Sequence, residues 1–102
     1  MKINEKEYKL KYTGRTLVIY KEEFGKDLIL ECKYLKDNFN FVSVFEICWA
    51  MAKTYDDSIP SFNEFMDSID DVQNVIMNGD LLAEMGKVID KDGSPTKELK
   101  KK

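Results

Sequence analysis

Histidine is absent from the 102 residues of this chain. Its absence removes the most frequent general base, the commonest metal ligand and the side chain that titrates near neutral pH. Cysteine occurs only twice, at Cys32 and Cys48, each among apolar neighbours. Two distant cysteines cannot complete a zinc site, and a small secreted protein would need a denser disulfide framework. They read as small buried thiols in a reducing compartment. The start, Met1-Lys2-Ile3-Asn4-Glu5, has no apolar signal-peptide core. No stretch approaches the roughly 20 apolar residues that cross a bilayer, so a cytoplasmic location is expected. There is no Gly-x-Ser-x-Gly elbow and no phosphate loop. The carboxylate pairs Glu22-Glu23 and Asp56-Asp57 are adjacent in sequence, so their side chains diverge instead of converging on a substrate. Catalysis is not expected, and no catalytic, cofactor-binding or metal residue is nominated.

An excess of positive charge is missing too. Sixteen Lys and Arg stand against 19 Asp and Glu, giving a net charge of −3. The lysines are interleaved with acids, whereas a nucleic-acid binder concentrates basic charge on one face. Neither a nucleic-acid nor a membrane partner is expected. The end, Lys97-Glu98-Leu99-Lys100-Lys101-Lys102, reads as a solvated terminus. Asp67, Asp70 and Asp71 lack the spacing of a calcium loop.

What is present is material for one compact core. Hydrophobic residues make up 43% of the chain and aromatics 12%, too apolar for a disordered segment. Residues 1–90 read as a single domain, with 91–102 a flexible charged tail. Tyr8, Leu10 and Tyr12 alternate with Lys9 and Lys11. That period predicts a half-buried strand, the second arm of a hairpin begun by residues 1–4. Residues 14–24 are ambiguous. Thr16-Leu17-Val18-Ile19-Tyr20 is β-rich and Thr13-Gly14 could turn a hairpin, yet Leu17, Tyr20 and Phe24 share a helical face. Thr13 as N-cap and Gly25 as terminator favour the helix.

Asp27 is placed to cap a second helix carrying Leu28, Leu30, Tyr34 and Leu35. Between 41 and 55, Val44, Phe45, Ile47, Cys48, Met51, Ala52 and Tyr55 form a broad apolar stripe, with Trp49 just off it. So wide a stripe predicts a central helix with several neighbours. Ser61-Phe62-Asn63-Glu64 is a capping box that opens a helix bearing Phe62, Phe65, Met66 and Ile69. Residues 71–89 hold Val72, Val75, Ile76, Leu82, Met85 and Ile89 at helical spacing, interrupted by Asn78-Gly79. One helix with a costly glycine, or two helices with Asp80 capping the second, fit equally. The expected class is α+β: a short N-terminal β-hairpin packed on four to five helices.

Two stretches carry a family resemblance. One is Tyr8-Lys9-Leu10-Lys11-Tyr12-Thr13-Gly14-Arg15-Thr16, running on to Tyr20-Lys21-Glu22-Glu23-Phe24-Gly25-Lys26-Asp27-Leu28. The other is Trp49-Ala50-Met51-Ala52-Lys53 followed by Ile59-Pro60-Ser61-Phe62-Asn63-Glu64-Phe65. Together they resemble the short tail assembly chaperones of siphophages and prophages of Gram-positive bacteria, over residues 1–90. The family commonly has tryptophan where Phe65 stands. The resemblance implies a helix ending at Phe24-Gly25 and a protein of the bacterial host cytoplasm. It also implies that such a protein binds and solubilises the tape measure protein, helps recruit tail tube protein subunits, and is not retained in the mature virion. A frameshifted longer form of the protein itself is a further implied partner, cooperative coating would come from self-association or from a repetitive ligand, and no cofactor is implied. The alternatives are a small regulatory protein-binding module, such as an antitoxin or transcription-factor partner, and a minor structural tail component. Met51, Met66, Met77 and Met85 suit either gap-filling or an adaptable binding surface. The nominated partner-binding residues are Phe62, Phe65, Met66, Leu82 and Met85, on the last elements of the domain.

Overall fold

The structure, a computed structural model, describes residues 1–3, 5–78 and 81–89. The expected tail, 91–102, lies outside the described residues. The fold is a small α+β arrangement with the antiparallel hairpin at its N-terminus. Strands β1 (Lys2–Ile3) and β2 (Lys6–Glu7) pair with Ile3 opposite Lys6. The ladder is far shorter than the alternation suggests, because residues 8–12 continue outside any strand. The alternation nonetheless sets burial: Tyr8 is buried, Leu10 and Tyr12 are half-buried, and Lys9 and Lys11 are exposed. At Tyr8 the backbone still pairs with Met1, whose carbonyl accepts from the Tyr8 N–H at 2.7 Å, and beyond it a helix supplies the partner. The Lys11 N–H donates to the Met51 carbonyl at 3.1 Å. The N-terminal ammonium of Met1 donates to the Tyr8 carbonyl at 2.8 Å and to Glu7 Oε2 at 3.0 Å. It also lies 3.6 Å from Glu84 Oε1, which belongs to the last described helix.

Helix α1 (Gly14–Phe24) takes the helical alternative. Thr13 accepts from Arg15 N–H, the Thr13 N–H donates to Thr16 Oγ1, and Gly25 closes the helix at φ 69°. Thr13-Gly14 is thus a capped helix start, and capping outweighs β-propensity here. Asp27 caps α2 (Leu28–Leu35) and Asn40 caps α3 (Phe41–Tyr55). Helix α4 (Phe62–Asp67) has both halves of its Ser61–Glu64 capping box. The open question at 71–89 resolves into two helices, α5 (Val72–Asn78) and α6 (Leu81–Val88). The described residues therefore hold six helices, not four to five.

Helix α3 is the axis of the fold and touches α1, α2, α4 and α6. Its buried set runs almost unbroken from Ser43 to Ala52, including Trp49, which the stripe had left at its edge. Tyr55, assigned to the stripe, is instead exposed. Cys32 and Cys48 are both buried free thiols. The methionines divide: Met51 is fully buried, Met66 and Met85 are half-buried, and Met77 is exposed.

A polar seam crosses this core. Glu46 Oε1 accepts from the Tyr20 hydroxyl at 3.2 Å and from Lys26 Nζ at 2.9 Å. Ser43 Oγ donates to Glu31 Oε2 at 2.6 Å. Tyr20 has no exposed surface, so its hydroxyl depends on Glu46. Glu46→Ala is expected to cost about 2 kcal/mol, because a buried donor loses its acceptor. Adding Tyr20→Phe should recover part of that loss, since the orphaned hydroxyl then goes too. Urea unfolding of the two variants checks this; equal stability of Glu46→Ala and the parent chain would overturn it.

Candidate functional site

The nominated residues occupy different surroundings. Phe65 is fully buried and stacks edge-on against Tyr8 at 5.4 Å between ring centroids. It is a core residue with no surface exposed to a partner. Phe62 is half-buried in an aromatic cluster, 4.9 Å from Phe24 and 5.9 Å from Trp49, with Phe24 also 5.0 Å from Tyr20. These rings join α1, α3 and α4, and Trp49 Nε1 fixes the cluster by donating to the Pro60 carbonyl at 3.0 Å. Met66 is half-buried against the core. Leu82 is 45% exposed. Of the five, Met85 lines the apolar groove between α2 and α6.

That groove lies between α6 and the end of α2 with its following loop. It has a volume of about 310 Å³ and is lined by Cys32, Leu35, Lys36, Phe39, Met85, Gly86 and Ile89. Phe39 is half exposed and stacks edge-on against Phe41 at 4.9 Å. Leu30, Tyr34 and Val42, from α2 and the start of α3, are also more than half exposed. Sequence reasoning missed every lining residue except Met85. Two signals were available: an isolated aromatic in the polar run Asp37-Asn38-Phe39-Asn40, and a glycine between Met85 and Val88.

A larger cleft, about 550 Å³, opens between α1 and the C-terminal end of α3. Glu22, Glu23, Asp56 and Asp57 line it together with Arg15 and Lys53. Its charges are mixed and partly engaged. Lys53 donates to the Ile59 carbonyl at 3.4 Å and sits over the Trp49 ring. The Ser58 hydroxyl and N–H both donate to Asp56, holding that exposed carboxyl below its usual range. Size therefore does not make this cleft the better site; it lacks a convergent set of groups for one ligand.

Among the described residues, no three His, Cys, Asp or Glu side chains are grouped to hold a metal ion. No described helix is long and apolar enough to cross a membrane. The Cys48 thiol lines neither cleft, and burial pushes it up to about 12, the opposite of an activated nucleophile. Comparison with protein-family models, curated proteins and solved structures returns no match. The site must speak through its own chemistry, and an apolar groove between helices is suited to holding apolar side chains.

Proposed function

We propose that this protein binds another protein, and that its partner is a phage tape measure protein kept soluble during tail assembly. The observation that carries the binding reading is the apolar groove between α2 and α6, together with the exposed Leu30, Tyr34 and Val42 on α2 and the start of α3. Exposed apolar surface costs solubility and is retained where a partner covers it. The partner's name rests on the resemblance carried by residues 8–28 and 49–65. A chaperone of this kind needs weak, repeated contacts with a long helical ligand, so that it can be displaced as the tail tube closes. In this reading it acts in the host cytoplasm without catalysis and leaves before the virion is complete.

Co-expression with the tape measure protein encoded beside it is expected to give a soluble complex that co-purifies. A tape measure protein equally soluble alone, and never co-purifying, overturns the reading. Finding the protein in purified virions would point to a structural tail component instead.

A further inference from the structure

We propose that the cleft between α1 and the C-terminal end of α3 seats a lysine- or arginine-rich segment of a partner protein, whose cationic heads meet Glu22, Glu23, Asp56 and Asp57. This rests on the protein-binding reading and adds a second contact surface with its own charge.

The two walls run antiparallel. The Thr16 and Thr54 hydroxyls lie 2.7 Å apart, and further along α1 the Tyr20 hydroxyl reaches Glu46. The start of α1 therefore stands beside the end of α3. Arg15, Ile19 and Glu22 recur at i, i+4 and i+7, so α1 gives the cleft one continuous face. Trp49, Lys53 and residues 54–57 form the other wall. Four carboxylates, those of Glu22, Glu23, Asp56 and Asp57, share this lining with two cations, Arg15 and Lys53. All four acids are exposed. Asp56 holds the Ser58 turn. Among the described residues, no cation lies within ion-pair distance of Glu22, Glu23 or Asp57.

The backbone makes these positions costly for an acid. Glu22 and Glu23 stand in the last turn of α1, Asp56 is the C-cap of α3, and Asp57 follows it. A helix C-terminus carries partial negative charge, so an acid there is destabilising and a cation stabilising. Lys21, the base in the last turn of α1, lies outside the cleft's lining, and Lys26 beyond it is turned to Glu46. A cationic occupant relieves the repulsion at both helix ends at once.

The class of occupant follows from sign and shape. Net negative charge turns phosphate away. No three described acids or thiols are grouped to hold a metal ion, and a small ligand needs convergent groups that this cleft lacks. A basic polypeptide needs no convergence, because each head finds its own carboxylate. Its aliphatic stems can lie on Ile19 and Trp49, and the ring of Tyr55, 54% exposed, is open to a cation.

Two synthetic peptides of equal length, alike except that one carries lysine where the other carries glutamate, provide the probe in fluorescence anisotropy with the full chain. The lysine peptide is expected to bind about tenfold more tightly, and roughly 0.5 M salt to erase most of that preference. Glu22→Lys with Asp57→Lys is expected to reverse the preference while raising the melting temperature, because cations then stand at both helix ends. The milder pair Glu22→Gln with Asp57→Asn should weaken the lysine peptide about tenfold and leave the fold intact. Equal binding of the two peptides, binding of neither, or unchanged affinity in the milder pair overturns the proposal. So does spermidine binding as tightly as the lysine peptide, since the occupant is then a small polyamine. A dimer in sedimentation that Glu22→Lys with Asp57→Lys dissociates overturns it in favour of a second copy. Lysine-peptide binding seen only after Lys100→Glu, Lys101→Glu and Lys102→Glu overturns it in favour of the chain's own lysines. Co-purification separates this proposal from the reading beneath it. A tape measure complex that survives both pairs of substitutions sinks the cleft alone. Peptide binding as described, with no tape measure complex, sinks the named partner alone.

Discussion

Phe65→Ala is expected to remove about 3–5 kcal/mol of stability, the usual cost of deleting a fully buried aromatic ring. Phe65 has no exposed surface and packs its ring edge-on against Tyr8. The cavity would open between α4 and the segment after the hairpin, where short elements have few other anchors. A domain of this size has only about 5–15 kcal/mol in total, so the loss is a large part of it. Circular dichroism with thermal or urea unfolding reads the effect. Phe62→Ala should cost less, because Phe62 is only half-buried and Tyr20, Phe24 and Trp49 remain to close around it. A fully folded Phe65→Ala protein with normal stability would mean that the ring belongs to a surface after all.

Alkali is expected to lower the stability of the fold with a slope that steepens twice. Burial pushes the Cys48 thiol from an ordinary 9.0 up to about 12. Burial, then the negative charges of Glu46 and Glu31, raise the Tyr20 hydroxyl well beyond its ordinary 10.0. Both groups are acids with folded pKa values above their unfolded ones. Their contribution is complete below the unfolded value and is lost as pH rises, because only the unfolded chain releases the proton. Cys48 therefore costs about 1.4 kcal/mol for each pH unit above 9, and Tyr20 the same above 10. By pH 11 the combined loss is roughly 4 kcal/mol. Urea midpoints between pH 8 and 11 measure it, and Cys48→Ala should delay the decline until above pH 10. A flat profile across that range would contradict both assignments.

The elements that the sequence announced were those with local causes. The Ser61–Glu64 box, the Asp27 cap and the Gly25 terminator each act within a few residues of themselves, so spacing alone locates α4, α2 and the end of α1. The start of α1 was harder, because β-branched residues and Thr13-Gly14 argue for a hairpin until the reciprocal Thr13–Thr16 bonds are seen. Residues 8–12 alternate as a strand does, yet what stands beside them is the Met51 carbonyl of a helix. Alternation reports which side faces the core, not what hydrogen-bonds the edge. The groove was the least legible feature. It needs Leu35 and Phe39 from one end of the described chain's helices and Met85, Gly86 and Ile89 from the other. Periodicity placed Phe62 and Phe65 correctly on one helix, but not which neighbours would cover them.

The ammonium of Met1 has a consequence for synthesis. Its partners are Glu7 and Tyr8 nearby and Glu84 on α6. The surroundings of Met1 are therefore completed only when α6 is in place. Tyr8, Leu10 and the Lys11 N–H likewise wait for α3 and α4. Helices α1 to α3 can collapse on one another early in translation, but the hairpin reaches its full set of contacts only after α6 has been made.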